Sequence, residues 1–346
     1  SDSSVLAASV PFLAPTSQPV SPILWNYTTV PQKGLDNRIL GYSRGRILGG
    51  SSSVNFMTYT RGSDDDYNRW ASLTGDSVWS WKNLQPYYLK SSRLVAPADN
   101  HNTNGQVNPA VHGNGPVQVS VPGFPTDIDA RVINSSRELA SQFPFNIDVQ
   151  SGNTVGISEC VAQNTVDSNG RRSSSSTAYL QPILSRPNLD VLMQTQVTQL
   201  KQSGVSARKP VFNIVEFAQS RIGPRSQVTA RNEVILCAGA INTPQILMLS
   251  GIGDSTTLRK LGITPILNLS DVGQNLQDHP ILSNYFVVNT TNTFDTVLRD
   301  VGEINTLLTQ WNNTGKGLFV DAPGNTLGFF RVNQTVLRGA ADPSAG

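Results

Sequence analysis

The spacing of apolar positions sorts the chain into helical, strand-like and loop-rich stretches. From 63 to 95 the spacing is helical, with Trp81, Leu84 and Tyr88 on one face and Ser80 placed to cap the start. Residues 127–143 form a second helical stretch, and 296–311 a third on Val297, Val301, Leu307 and Leu308. Residues 117–121 alternate apolar and polar and predict a strand. Three strand-like runs at 189–200, 211–217 and 227–237, separated by turn residues, predict a meander. Residues 234–236 are continuously apolar, as in a strand covered on both faces. The small-residue corner Ala238-Gly239-Ala240 follows. A helix is then expected from Thr243, as N-cap, and Pro244 to a C-terminal Gly251. The first 45 residues carry Pro11, Pro15, Pro19, Pro22 and Pro31 without helical spacing, and read as an extended surface arm. Residues 96–126 are loop-rich. The mixture is α/β, turning α+β in its second part.

Composition narrows the function classes. A chain of 346 residues can bury a large core and suggests two domains. The 26 basic and 24 acidic side chains give a net charge of +2 with no long run of one sign, unlike a nucleic-acid binder. No apolar run is long enough to span a membrane. Cysteine and histidine show no ligand spacing, so no structural zinc site is expected. Cys160 and Cys237 can pair, although two free buried thiols is the favoured reading because Cys237 lies in an apolar run. Asn-x-Ser/Thr sites at Asn26, Asn134, Asn268, Asn289, Asn312 and Asn333, together with few lysines, fit a secreted glycoprotein. Ser1-Asp2-Ser3-Ser4 offers no basic stretch and no long apolar run follows, so the start of the chain is not expected to be a signal peptide.

Two segments carry candidate chemistry. In the turn Gly45-Arg46-Ile47-Leu48-Gly49-Gly50-Ser51-Ser52-Ser53-Val54-Asn55-Phe56-Met57, adjacent glycines permit close backbone approach. Consecutive amides, three hydroxyls and a helix start near Ser52 would suit a pyrophosphate. The same residues also suit a solvent-exposed linker. The strand–corner–helix at 234–253 resembles the dinucleotide-holding corner of open α/β sheets, or a unit that serves packing alone.

The run from Gly45 to Gly62, with Tyr59, resembles the first signature of the glucose–methanol–choline (GMC) oxidoreductases. The run from Gly239 to Gly253 resembles the second signature. Val272-Gly273-Gln274-Asn275-Leu276-Gln277-Asp278-His279 is similar to the family segment that follows it. Within the family, Trp25-Asn26-Tyr27-Thr28-Thr29, Ala98-Asp99-Asn100-His101-Asn102-Thr103, Pro122-Gly123-Phe124-Pro125 and the run Arg172 to Leu180 are most similar to fungal aryl-alcohol oxidases. Phe56 departs from the tyrosine of an aromatic gate there, and Asn55 from a histidine. The resemblance implies an incomplete FAD/NAD(P)-binding Rossmann-like domain over 1–280 with inserted elements, and the start of a sheet-based substrate domain over 281–346. It implies FAD as cofactor, held by Arg46, Gly49, Gly50, Ser51, Asn55, Phe56, Met57, Thr58, Val197, Ala238, Gly239 and Asn275. Asn55 to Thr58 would touch the isoalloxazine, Val197 the adenine, and the bends around Gly49 and Gly239 would lie close together. The implied reaction oxidises aromatic or allylic primary alcohols to aldehydes with O2, giving H2O2, with sugar or choline substrates as the alternative. Small-molecule partners and an extracellular location follow.

The chain contains no Gly-x-Gly-x-x-Gly. Of the three histidines, His101 and His112 read as surface or loop-packing residues, and His279 as structural or flavin-proximal. None stands where the family's C-terminal catalytic histidine would be, so no catalytic residue is assigned. The expectation is an internal piece lacking the first β-α-β unit and the catalytic segment, with a truncated inactive form as the alternative.

Overall fold

The structure, a computed structural model, describes residues 5–17, 21–158, 164–322 and 324–332. It forms two compact units, one from 1–186 with 288–346 and one from 187–287. Compactness therefore divides the chain at other positions than the boundary at 280 that the resemblance implied.

The first unit is built around a core of Val10, Phe12, Ala98, Val297, Trp311, Leu318, Phe319 and Val320. Phe12 stacks on Phe319 with ring centroids 5.0 Å apart and meets Phe294 edge-on at 5.4 Å. This corrects the reading of the first residues as a surface arm. Leu6–Ser9 is helical, Pro11–Ser17 is a 3-10 helix, and Ala8, Val10, Phe12 and Ala14 are all buried. Proline limits a regular helix, but its fixed φ is compatible with 3-10 turns, and burial of the apolar side chains decides the placement. The expected helix at 63–95 is divided into Asp64–Thr74 and Trp81–Ser91, with Gly75 left-handed at the end of the first. Ser63 and Asp66 form a reciprocal capping box on the first. The stretch at 296–311 is likewise two helices, Phe294–Arg299 and Val301–Thr314. The break falls at Asp300, whose carboxylate accepts from the amides of Gly302 and Glu303. The alternating run at 117–121 gives the strand Val117–Val119, and 127–143 gives the helix Asp129–Glu138.

Chain segments far apart in sequence meet at Asp321. Its buried carboxylate accepts from the amides of Gly123 (2.7 Å) and Phe124 (3.1 Å), which ties 318–322 to the Pro-Gly-Phe-Pro turn. Burial holds its carboxyl well above the usual range.

In the second unit the expected meander is present as Gln196–Ser206, Lys209–Ala218 and Ser226–Thr229, all antiparallel. The third run is shorter than the sequence suggested. Pairing ends at Thr229, and the segment at 233–237 is not a strand. Ile235 is 73% exposed and Cys237 is a free, exposed cysteine. Both correct the expectation of burial. A strand persists only where a neighbour completes its ladder, and among the described residues none pairs with 233–237. Cys160 lies outside the described residues. The following helix is Gly239–Leu249, so it begins before Thr243, and Pro244 lies inside it. The Thr243 hydroxyl accepts from the amide of Ala238 rather than capping a start at its own position. Ser250 ties this helix to the sheet, accepting from the Leu200 amide at 2.7 Å and donating to the Ile246 carbonyl.

Glu216 is held in the same sheet. Lys201 Nζ lies 2.6 Å from it, and Gln199 and Thr198 donate to its Oε1. Chiefly through the Lys201 contact, its carboxyl is held down at about 2, below the usual glutamate value of 4.5. A depressed folded value means stability that is present above 4.5 and lost as pH falls towards 2. Glu216→Gln is therefore expected to cost roughly 1 kcal/mol at neutral pH. The difference in denaturation midpoint from wild type should shrink on acidification through that window. A difference that stays constant with pH would contradict the assignment.

Candidate functional site

The glycine–serine bend is positioned by a hairpin. Leu24–Thr28 pairs antiparallel with Gly41–Gly45, in register Leu24 to Gly45. The alternation Trp25, Tyr27 puts both rings on one face, stacked at 6.0 Å, and the guanidinium of Arg46 covers Trp25 at 4.9 Å. Arg46 is exposed, and its amide donates back to Ile23.

The chain then folds onto itself between Gly45 and Met57. Gly49 (φ +86) and Gly50 (φ +56) take the left-handed turn, and Gly50–Ser53 is a short 3-10 helix. A Cβ on Gly45 would stand 2.3 Å from the Gly50 carbonyl oxygen. One on Gly49 would stand 2.4 Å from Ser53 Oγ and 3.1 Å from the Ser176 backbone nitrogen. The hydroxyls close the loop: Ser51 Oγ accepts from the Gly45 amide, Ser52 Oγ donates to Gly49 and Ser53 Oγ to Leu48.

This closure limits which backbone groups of the bend could meet a pyrophosphate. The amides of Gly50, Ser52, Val54 and Asn55 donate to carbonyls of Ile47, Gly49 and Ser51 within the loop. These four amides are therefore already satisfied within the loop and are not offered to an anion. A four-residue 3-10 turn also supplies no extended helix dipole. What the loop presents outward is Asn55, Phe56 (49% exposed) and Thr58, polar groups beside an aromatic ring. Such a surface fits a flat heteroaromatic ring with hydrogen-bonding edges, and the open space at Gly50, where a Cβ would touch nothing within 4 Å, admits a ligand close to the backbone. Met57 is different. Its φ is +62, its side chain is 1% exposed and packs with Ala14, Val166 and Ala322, so it offers a ligand only its backbone. Its carbonyl accepts from the Thr165 amide at 3.0 Å.

The remainder of the signature anchors the loop. Tyr59 donates to Ser92, and the buried Arg61 guanidinium donates to the Val111 carbonyl and to Ser92. Tyr67 donates to the Arg61 carbonyl and shares a hydrogen bond with Tyr88; burial raises its phenol well above the usual value.

A second wall had gone unassigned in the sequence. Arg172, Ser175 and Ser176 pack against the bend from more than a hundred residues away. Ser175 N donates to Ser52 Oγ at 2.9 Å, and Ser175 Oγ donates to the Gly49 carbonyl at 3.1 Å. Arg172, 3% exposed, donates to the Ser52 carbonyl and to Asn55 Oδ1. The sequence signal was the run of serines after Arg172, whose role composition could not supply.

The structure thus brings Arg46, Gly49, Gly50, Ser51, Asn55, Phe56, Met57 and Thr58 together in the first unit. Val197, Ala238, Gly239 and Asn275 belong to the second. There Val197 is half-buried opposite Phe217 at a bulge, and Ala238 is half-buried. Gly239 (φ +85) and Asn275 (φ +58) are exposed. Of the histidines, His101 is held between Asp99 (2.6 Å) and Gln106 (2.8 Å). His112 is buried against Asp148 at 3.0 Å, and His279 is exposed. Among the described residues no cluster of histidine, cysteine and acidic side chains could hold a metal, and no helix is long and apolar enough to cross a membrane.

The GMC oxidoreductase family model matches residues 4–281. Pyranose dehydrogenase of Agaricus campestris is 40% identical over 349 residues, which takes in 100% of this chain and 56% of that protein. An FAD-dependent oxidoreductase from Chaetomium thermophilum superposes with a TM-score of 0.81 at 27% identity, over 93% of this chain and 55% of the other. A fungal aryl-alcohol oxidase superposes with a TM-score of 0.75 at 28% identity, over 89% and 52%. The chain spans about half the length of the relatives it matches.

The packing around the bend makes a graded prediction. Gly45→Ala and Gly49→Ala should each destabilise by about 2 kcal/mol or more, since backbone must move. Gly34→Ala, where a Cβ meets nothing within 4 Å, should change stability by no more than about 0.5 kcal/mol. Thermal midpoints of the three variants provide the comparison, and equal midpoints would contradict the closed loop.

Proposed function

The chain belongs to the GMC oxidoreductase family, and on that premise we propose that its glycine–serine loop holds the flavin of FAD in an enzyme that oxidises CH–OH groups. One observation carries the reading: the closed bend at 45–57, braced by Arg172–Ser176, leaves Asn55, Phe56 and Thr58 exposed. When bound, FAD supplies the acceptor for the hydride leaving the alcohol carbon. The chain's residues bind and orient: Phe56 offers a ring for stacking, Asn55 and Thr58 offer hydrogen-bonding groups, and Met57 fixes the loop to the core. The residues Val197, Ala238, Gly239 and Asn275 are proposed as contacts to the remainder of the cofactor. We assign no catalytic base to the three histidines, two of which are already committed to carboxylate or amide partners.

For the substrate, the exposed ring of Phe56 supports an aromatic or allylic primary alcohol, oxidised to the aldehyde with O2 as acceptor. The 40% identity to a pyranose dehydrogenase favours a second reading, a sugar hydroxyl. Five sequon asparagines, Asn26, Asn134, Asn268, Asn289 and Asn312, are exposed, which supports a secreted glycoprotein. Purified protein is expected to be yellow, or to take up added FAD with quenching of its fluorescence. Anaerobic bleaching by benzyl alcohol but not glucose would support the first substrate reading, and the converse the second. Protein that neither carries nor takes up FAD would overturn the flavin assignment.

A further inference from the structure

Asn55 has an amide whose orientation is determined by its neighbours. Its Oδ1 accepts two hydrogen bonds, from the Met57 amide at 3.1 Å and from an Arg172 guanidinium nitrogen at 2.8 Å. Both partners are donors and can offer no acceptor, so a flipped carboxamide, with Nδ2 in that place, would set donor against donor. The residue is exposed, and among the described residues Nδ2 has no hydrogen-bond partner. Phe56 and Thr58, close by in the chain, are exposed as well.

Arg172 is held firmly enough to impose this orientation. It is 3% exposed, and the same guanidinium nitrogen also reaches the Ser52 carbonyl at 3.2 Å. Its own amide donates to the Ser9 carbonyl at 3.1 Å, so its backbone is fixed to the first helical turn. The neighbouring Ser173 accepts from the Gln118 amide at 3.0 Å and donates its own amide to the Thr165 carbonyl. Met57, the other donor, is locked by its buried side chain and its left-handed backbone. Two rigid donors therefore grip one side of a short side chain, and its other side is left to a ligand.

We propose that Arg172 is a positioning residue: with the Met57 amide it fixes the Asn55 carboxamide so that Nδ2 is presented as a hydrogen-bond donor to an acceptor on the edge of the isoalloxazine. This rests on the flavin reading of the loop. It goes beyond that reading in assigning a polarity to one side chain and a function to a residue that lies outside the family signature.

Asn55→Asp separates this role from a structural one. The carboxylate keeps an acceptor for Met57 and Arg172, and pairs more strongly with the guanidinium, so the thermal midpoint should hold or rise. The outward donor is lost, so FAD affinity, read by quenching of flavin fluorescence, should fall about tenfold or more, with a shift of the flavin absorption band. Arg172→Met, which frees the carboxamide to rotate, should weaken FAD binding in the same direction. If that variant does not fold, Asn55→Asp alone decides. Wild-type protein that binds no FAD overturns the flavin reading and this inference together. Wild-type protein that binds FAD, alongside Asn55→Asp that binds with equal affinity and an unchanged spectrum, overturns this inference alone.

Discussion

The arrangement depends most on the closure of the Gly45–Met57 bend against the run from Arg172 to Ser176. Without a Cβ at Gly45 and Gly49 the backbone can double back until Gly45 lies against the Gly50 carbonyl, and Ser176 can pack on Gly49. Each hydroxyl of the serine triplet then finds a partner within the loop or across it. Such a loop gives up considerable backbone entropy, and the hydrogen bonds and the burial of Met57 offset that cost. The result is a surface whose exposed groups are few and fixed, which is what a planar ligand with directional edges requires.

The same closure gives the serines and amides of the bend a different part from the one their composition suggests. Glycine next to serine reads as an anion cradle, because hydroxyls and amides are good phosphate partners. Once those groups are bonded to each other, the loop is a shaped platform whose exposed side chains include Asn55, Phe56 and Thr58. In the second unit the opposite happens. The apolar segment at 234–237 has the side-chain character of a buried strand, yet among the described residues it forms no ladder, because strand structure is a property of a pair.

Long-range ties explain why the first unit forms one body from two distant chain segments. Asp321 accepts the amides of Gly123 and Phe124, and Trp311 Nε1 donates to the Gly170 carbonyl at 2.7 Å. Phe319 fills the space beside Phe12. In the same stretch Ala322 packs with Met57 of the loop, so the loop's rigidity rests partly on residues that show no motif of their own.

What the sequence determined by itself is local. The period of Trp81, Leu84 and Tyr88, the alternation at 117–119, the meander and the left-handed Gly251 (φ +80) at the end of the 239–249 helix were legible because they follow from side-chain spacing and backbone sterics. The family signatures were legible for the same reason, since a motif is a short run of residues. Tertiary structure decided everything that needs a partner from elsewhere in the chain. The proline-rich start became core because Phe319 and Phe294 were there to receive Phe12. The end of the meander is unpaired because, among the described residues, no strand lies beside it. Arg172 acquired a function only because folding placed its guanidinium 2.8 Å from an asparagine 117 residues away. Hydrogen bonds and packing act over a few ångströms of space, whereas sequence spacing reports only separation along the chain.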